Sequence, residues 1–174
     1  MYPHKTPLLI QKFFKAALWR RNSPEKALYL TFDDGPQLGV TDWVLDQLAD
    51  YNAKATFFCV GENVVKNPDL YKRILEEGHS VGNHSFNHLD GWKTNFEAYI
   101  ENVEKAADCI DTKYFRAPYG KLTWKQYRYL VKRYTVVFWD VMPGDFDKQL
   151  SEEKVIVPYK KKRRRGLLLC CMTI

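Results

Sequence analysis

Apolar and polar positions along this chain fall into two kinds of block. Continuous apolar runs occur at Ala27-Leu28-Tyr29-Leu30-Thr31-Phe32, Ala55-Thr56-Phe57-Phe58-Cys59-Val60 and Tyr134-Thr135-Val136-Val137-Phe138-Trp139. Runs of this length, rich in β-branched and aromatic residues and closed by turn residues, predict buried strands. Shorter strands are expected at Ser80-Val81-Gly82 and Tyr114-Phe115-Arg116. Between them lie segments of helical period. Thr41 caps one that runs to about Tyr51, with Trp43, Val44, Leu45 and Leu48 facing inward. Asn67 or Pro68 opens another through Glu77, and Gly78 stands at its C-cap position. A third spans about Asn95 to Cys109, with Phe96, Tyr99, Ile100, Val103 and Ala107 on its apolar face. A fourth spans about Thr123 to Lys132.

Strands alternating with helices argue for parallel strands covered by helices, as an open α/β sheet or a barrel. The conspicuous polar residues follow the C-terminal ends of the strands, the face on which such folds build active sites. This pattern occupies residues 25–150. Residues 1–24 are expected to form an N-terminal packing segment, with a short basic amphipathic helix within Ile10 to Arg21. Residues 151–174 break the pattern. A helix begun at Ser151 is interrupted by Pro158 and the cationic run Lys160 to Arg165, and Gly166 to Ile174 is apolar with no evident partner. That tail has the composition of a truncation or a shifted reading frame.

Composition narrows the function classes. A length of 174 residues suits one domain with a real core, and 45% apolar content excludes a disordered chain. The formal charge of +6 comes from the Lys160 to Arg165 run. Without its six cations the remaining 21 bases match the 21 acids, so charge argues against nucleic-acid binding. Cys59, Cys109, Cys170 and Cys171 match no zinc-finger spacing, and Cys59 is expected to be a small buried apolar residue. No segment has the character of a signal peptide or a membrane span. The expected molecule is a monomer, cytoplasmic or associated with the cell envelope.

Four residues carry the candidate chemistry. Asp33 and Asp34 follow the first strand, and the turn into Gly35-Pro36 lets both reach one pocket. His84 and His88 have the spacing that brings two imidazoles onto one ion in a helical or tightly turned segment. His79 is expected to be structural and His4 a surface residue. Two imidazoles and a carboxylate form an open ligand set suited to one divalent metal: zinc first, with cobalt, nickel or iron also compatible. Asp33 is then placed to take a proton from water. Arg116, beyond another strand, is a candidate partner for Asp33. Tyr119-Gly120 offers a backbone N–H for an oxyanion. Trp139 is a groove wall or a core residue, and Asp145 is a candidate orienting group.

Asp33, Asp34, His84, His88, Arg116 and Tyr119 lie in three motifs that resemble signatures of the polysaccharide deacetylase family, also called the NodB homology domain or carbohydrate esterase family 4. They are Thr31-Phe32-Asp33-Asp34-Gly35-Pro36, His84-Ser85-Phe86-Asn87-His88 and Arg116-Ala117-Pro118-Tyr119-Gly120. The resemblance spans roughly residues 25–150. It implies a distorted (β/α) barrel, incomplete here at the C-terminus. It implies Asp34, His84 and His88 as metal ligands, Asp33 as general base and Arg116 as its holder. Tyr119 N–H would belong to the oxyanion hole, and Pro118 would shape its loop. The implied reaction is removal of acetyl groups, N-acetyl favoured, from a carbohydrate polymer such as peptidoglycan or a chitin-like oligosaccharide. In a fourth signature, Trp139 to Phe146, Asp145 holds the orienting position and Phe146 replaces a Trp. The fifth, Leu-x-His, has no counterpart, since no histidine follows His88. Its general acid is therefore missing, and a catalytically impaired homologue that still binds metal and sugar is the alternative expectation.

Overall fold

The structure, a computed structural model, describes residues 8–21, 27–140 and 167–172. Six parallel strands form one sheet: β1 (Leu28–Asp33), β2 (Thr56–Cys59), β3 (Ser80–Asn83), β4 (Tyr114–Phe115), β5 (Thr135–Val136) and β6 (Leu167–Met172). Their order is β5-β4-β3-β2-β1-β6, and the sheet curls into an incomplete (β/α) barrel. The helices are α1 (Leu8–Phe13), α2 (Val40–Asp50), α3 (Gly61–Lys66), α4 (Pro68–Glu76), α5 (Phe96–Ala107) and α6 (Trp124–Leu130).

Local sequence explains most boundaries. Asn95 caps α5 by accepting from Ala98 N, and Thr123 and Gln126 form a reciprocal capping box on α6. Gly78 ends the α4 segment with φ +75°, a conformation that costs glycine little. Two differences from the expected pattern stand out in α2. Its N-cap is Gly39 rather than Thr41. Thr41 is buried one residue inside the helix, where its hydroxyl accepts from Gln37 N. Trp43, expected to face inward, is 61% exposed, because Val44, Leu45 and Leu48 already fill the buried stripe.

Two large apolar clusters sit against the sheet. One joins α2, α3 and α4 to β2 around Leu45, Phe57, Cys59 and Ile74. The other joins α5, α6, β4 and β5 around Tyr99, Val103, Phe115, Leu130 and Phe138. Cys59 is fully buried. The N-terminal segment packs on the second cluster, where Trp19 stacks on Phe138 at 4.5 Å, and on a small third one, where Leu18 bridges in parallel to Val137 beside Phe58. Arg20 pairs there with buried Asp140.

The apolar tail has a partner after all. Leu167 to Met172 pairs in parallel with all six residues of β1, from Leu28↔Leu167 to Asp33↔Met172. Six consecutive apolar or thiol residues form a strand that β1 can accept once the sheet curls round. Such pairing joins residues more than a hundred positions apart and leaves no local mark in the sequence. No described helix is long and apolar enough to cross a membrane. The helix expected after Ser151, the Lys160 to Arg165 run, Asp145, Phe146 and His4 lie outside the described residues.

Candidate metal centre and its carboxylate neighbour

The end of β1 sets the first two groups. Thr31 and Asp33 are buried, while Leu30 and Phe32, on the other face, pack against the first apolar cluster. Asp33 therefore points into the curl of the sheet. Asp34 takes φ 71°, a left-handed conformation that Asp tolerates better than most residues. That reversal turns its carboxylate beside the histidines. The Asp34 carbonyl accepts from Asn63 Nδ2 at 2.7 Å, and the Gly35–Pro36 peptide is cis.

The histidines leave the end of β3. His84 N donates to Cys59 O at 2.9 Å, and buried Asn83 braces the turn by donating to Val103 O and accepting from Ser85 N. The segment to His88 is an irregular loop rather than a helix, with left-handed residues at Ser85 (φ 61°) and His88 (φ 55°). Asn102 Oδ1 accepts from Phe86 N and Asn87 N, while the first amides of α3 donate to Ser85 O and Phe86 O. Gly61 must be glycine for this contact, since a Cβ there would lie 2.6 Å from the Phe86 ring.

Three ligand atoms, one each from Asp34, His84 and His88, lie within 4.8 Å of one another. Asp34 Oδ1 is 3.3 Å from His84 Nε2 and 2.9 Å from His88 Nε2. His84 Nδ1 lies 2.8 Å from Arg116 O. A carbonyl only accepts, so Nδ1 carries a proton, and in the neutral ring Nε2 turns its lone pair toward Asp34. An arrangement of this kind could hold a metal ion. Asp34 Oδ1 is buried and has no aligned hydrogen-bond donor, which fits an oxygen reserved for an ion. Burial alone would raise the Asp34 carboxyl, but His84 and His88 outweigh it and hold Asp34 well below the usual carboxylate range. Burial would lower His84, yet Asp34 and Asp33 raise it above the ordinary imidazole value. Both shifts favour positive charge at the point where the three groups meet.

Arg116 follows β4 and has no exposed surface. Its Nη1 donates to Asp33 Oδ1 at 2.6 Å and to Thr31 Oγ1 at 2.8 Å. Nε and Nη2 donate to Val137 O and Phe138 O, both at 3.3 Å. Its guanidinium carbon lies 4.0 Å from the centre of the Phe58 ring. The structure also places in the site a residue to which the sequence pattern assigned no role. Cys170 of β6 is fully buried and donates its thiol to Asp33 Oδ2 at 3.0 Å. Burial, reinforced by Asp33, raises its pKa well above the ordinary thiol value, so it stays a donor. Its partner is 137 positions away, and only the β1–β6 pairing brings the two together.

Pro118 is buried, and Tyr119 takes φ 57° with its ring 4.6 Å from that of His88. The Tyr119 side chain is 57% exposed at the mouth of the site. Trp139 is half-buried and packs on the same loop, where a Cβ on Gly120 would meet its ring at 2.6 Å. The structure thus brings together Asp33, Asp34, His84, His88, Arg116, Pro118, Tyr119 and Trp139.

Known proteins resemble this chain in sequence and in fold. A peptidoglycan-N-acetylglucosamine deacetylase of Bacillus cereus is 37% identical over 144 residues, 79% of this chain and 52% of that protein. The peptidoglycan-N-acetylmuramic acid deacetylase PdaA of Bacillus subtilis is 37% identical over 145 residues, 76% of this chain and 53% of that protein. The chain thus spans about half the length of these curated relatives. The crystal structure of the Bc1960 peptidoglycan N-acetylglucosamine deacetylase superposes with a TM-score of 0.86 at 30% identity, covering 97% of this chain and 81% of that one. Residues 20–139 match the family described as polysaccharide deacetylase, and the chain belongs to that family.

Proposed function

We propose that this chain is a metal-dependent hydrolase that removes N-acetyl groups from an amino-sugar polymer of the peptidoglycan or chitin type. The observation that carries the reading is the convergence of Asp34 Oδ1 with two imidazoles beside a buried carboxylate clamped by Arg116. The two nitrogens and one oxygen suit zinc best. A divalent cation there would supply Lewis acidity to an acyl oxygen and make water a better nucleophile at neutral pH. Asp33 takes the proton from the attacking water, and Arg116 fixes the direction in which that carboxylate faces. Tyr119 N–H donates to the developing oxyanion, on a loop shaped by buried Pro118. Asp34, His84 and His88 act as ligands, and the His84 Nδ1–Arg116 O bond holds one imidazole in the ligating tautomer.

One observation favours a second reading, an impaired homologue that binds metal and sugar without full turnover. No histidine follows His88. The edge strand beside β1 brings the Cys170 thiol to Asp33. Within these residues the leaving amine would then be protonated without a histidine, and missing general-acid help would slow turnover about 10²–10⁴-fold. Acetate release from N-acetylglucosamine oligomers by zinc-loaded protein, with Asp33→Asn as control, separates the two. Release that Asp33→Asn abolishes supports the hydrolase. Stoichiometric zinc without release supports the impaired homologue.

A further inference from the structure

Beside the metal centre lies a second set of groups that the proposed chemistry does not use. Trp92, in the loop after His88, is 67% exposed, yet that loop is pinned at every turn. Its indole Nε1 donates to Leu122 O at 3.2 Å, and its backbone N donates to Asp90 Oδ1 at 3.0 Å. Thr94 Oγ1 donates to Asp90 O at 2.8 Å. Gln126 has no exposed surface. Its Nε2 donates to Gly91 O and Thr94 O while its Oε1 accepts from Thr123 N. Gly91 is pressed against the Lys121 backbone, where a Cβ would lie 2.4 Å from the carbonyl oxygen. A buried amide, an Asp turn and a required glycine thus hold a loop whose largest side chain is left in solvent. Water exposure of an indole contributes nothing to folding. Rigid presentation of an aromatic face does lower the entropy cost of binding something flat and partly apolar.

The neighbours define that ligand. Lys121 Nζ lies 5.5 Å from the centre of the Trp92 ring and 5.3 Å from that of Tyr119. The same ammonium pairs with Asp90 Oδ2 at 2.8 Å. Tyr119 in turn lies against His88. A strip therefore runs from the metal ligand His88 through Tyr119 and the Lys121–Asp90 pair to Trp92. A pyranose offers an apolar C–H face for an indole and equatorial hydroxyls that a carboxylate and an ammonium can both engage. The ion pair is neutral as a unit, so it favours hydroxyls over a charged substituent.

We infer that Trp92, Lys121 and Asp90 form a subsite for a neutral pyranose ring of the glycan, separated by Tyr119 from the ring held at the metal centre and so reached by a tetramer but not by a dimer. The inference rests on the carbohydrate reading above. It requires no turnover, so calorimetry on the zinc-loaded full chain tests it, with the N-acetylglucosamine dimer and tetramer as probes. The tetramer is expected to bind more tightly than the dimer. Trp92→Ala should weaken tetramer binding roughly tenfold, equivalent to about 1.4 kcal/mol, while dimer affinity and zinc stoichiometry stay unchanged. Trp92→Phe should restore part of the loss. A tetramer that keeps its full advantage in Trp92→Ala overturns the subsite and leaves the hydrolase reading standing, as does equal binding of both oligomers by the unsubstituted protein. Loss of acetate release with the Trp92 effect intact removes the hydrolase reading alone. No binding of either oligomer overturns the subsite together with the carbohydrate reading.

Discussion

Arg116 carries a permanent charge at a position without solvent exposure, and every direction of its guanidinium is occupied by an acceptor or a ring. Desolvating such an ion costs several kcal/mol, which its partners must offset. Removing the cation while Asp33 stays ionised leaves a buried charge without its main counterion. Arg116→Met, which keeps much of the volume, should cost about 3–5 kcal/mol in urea unfolding. Adding Asp33→Asn should recover part of that loss. Strict additivity of the two single effects, to within about 0.5 kcal/mol, would show that the pair is not coupled. The groups legible in the sequence were those whose chemistry is local. Adjacent carboxylates before Gly-Pro and two histidines four apart announce themselves in a few residues. Cys170 announces nothing, because its meaning depends on Asp33 lying across a strand pair.

The same distinction holds for elements. Helices α4, α5 and α6 were readable from period and caps, since Pro68, Asn95 and Thr123 act within one turn. Strands β1 and β2 were readable as apolar runs. Helix α3 was not, since it has six residues and starts at once after β2. Strand β6 was not, since its pairing is wholly non-local. The start of β3 supports a prediction about pH. His79 is buried, and its Nδ1 accepts from Ala55 N at 3.3 Å, which only the unprotonated nitrogen can do. Burial, helped by Lys54, lowers its pKa below the ordinary 6.5, against a smaller opposing effect of Glu77. The unfolded chain binds the proton more readily than the folded one. The contribution of His79 is therefore complete above about pH 6.5 and is lost as pH falls from there through the folded pKa. The difference in unfolding free energy between the native chain and His79→Asn should be constant above that pH and shrink as pH falls below it. A difference that is flat from pH 5 to pH 8 would exclude this account.

At the scale of the whole molecule, the proposed metal ligands come from separate parts of the chain. Asp34 follows β1, and His84 and His88 follow β3, with β2 between these strands in the sheet. The unfolded chain holds these groups apart, so an ion that binds all three favours the folded state. The stabilisation follows RT ln(1 + [L]/Kd), about 2.7 kcal/mol at a free metal concentration 100 times Kd. For a chain of this size that corresponds to a rise in Tm of roughly 5–11 °C. Zinc added to chelator-treated protein should produce this rise, and the chelator should reverse it. His84→Ala and His88→Ala should abolish the response, while His79→Asn should keep it, because His79 packs against Phe57 and Ala55 away from the three ligands. A zinc response that survives both ligand substitutions would place the bound ion elsewhere, with the chain's four cysteines as the next donors to test. Loss of the response in the ligand variants alone would tie metal affinity and fold stability to one cluster at the C-terminal end of the sheet.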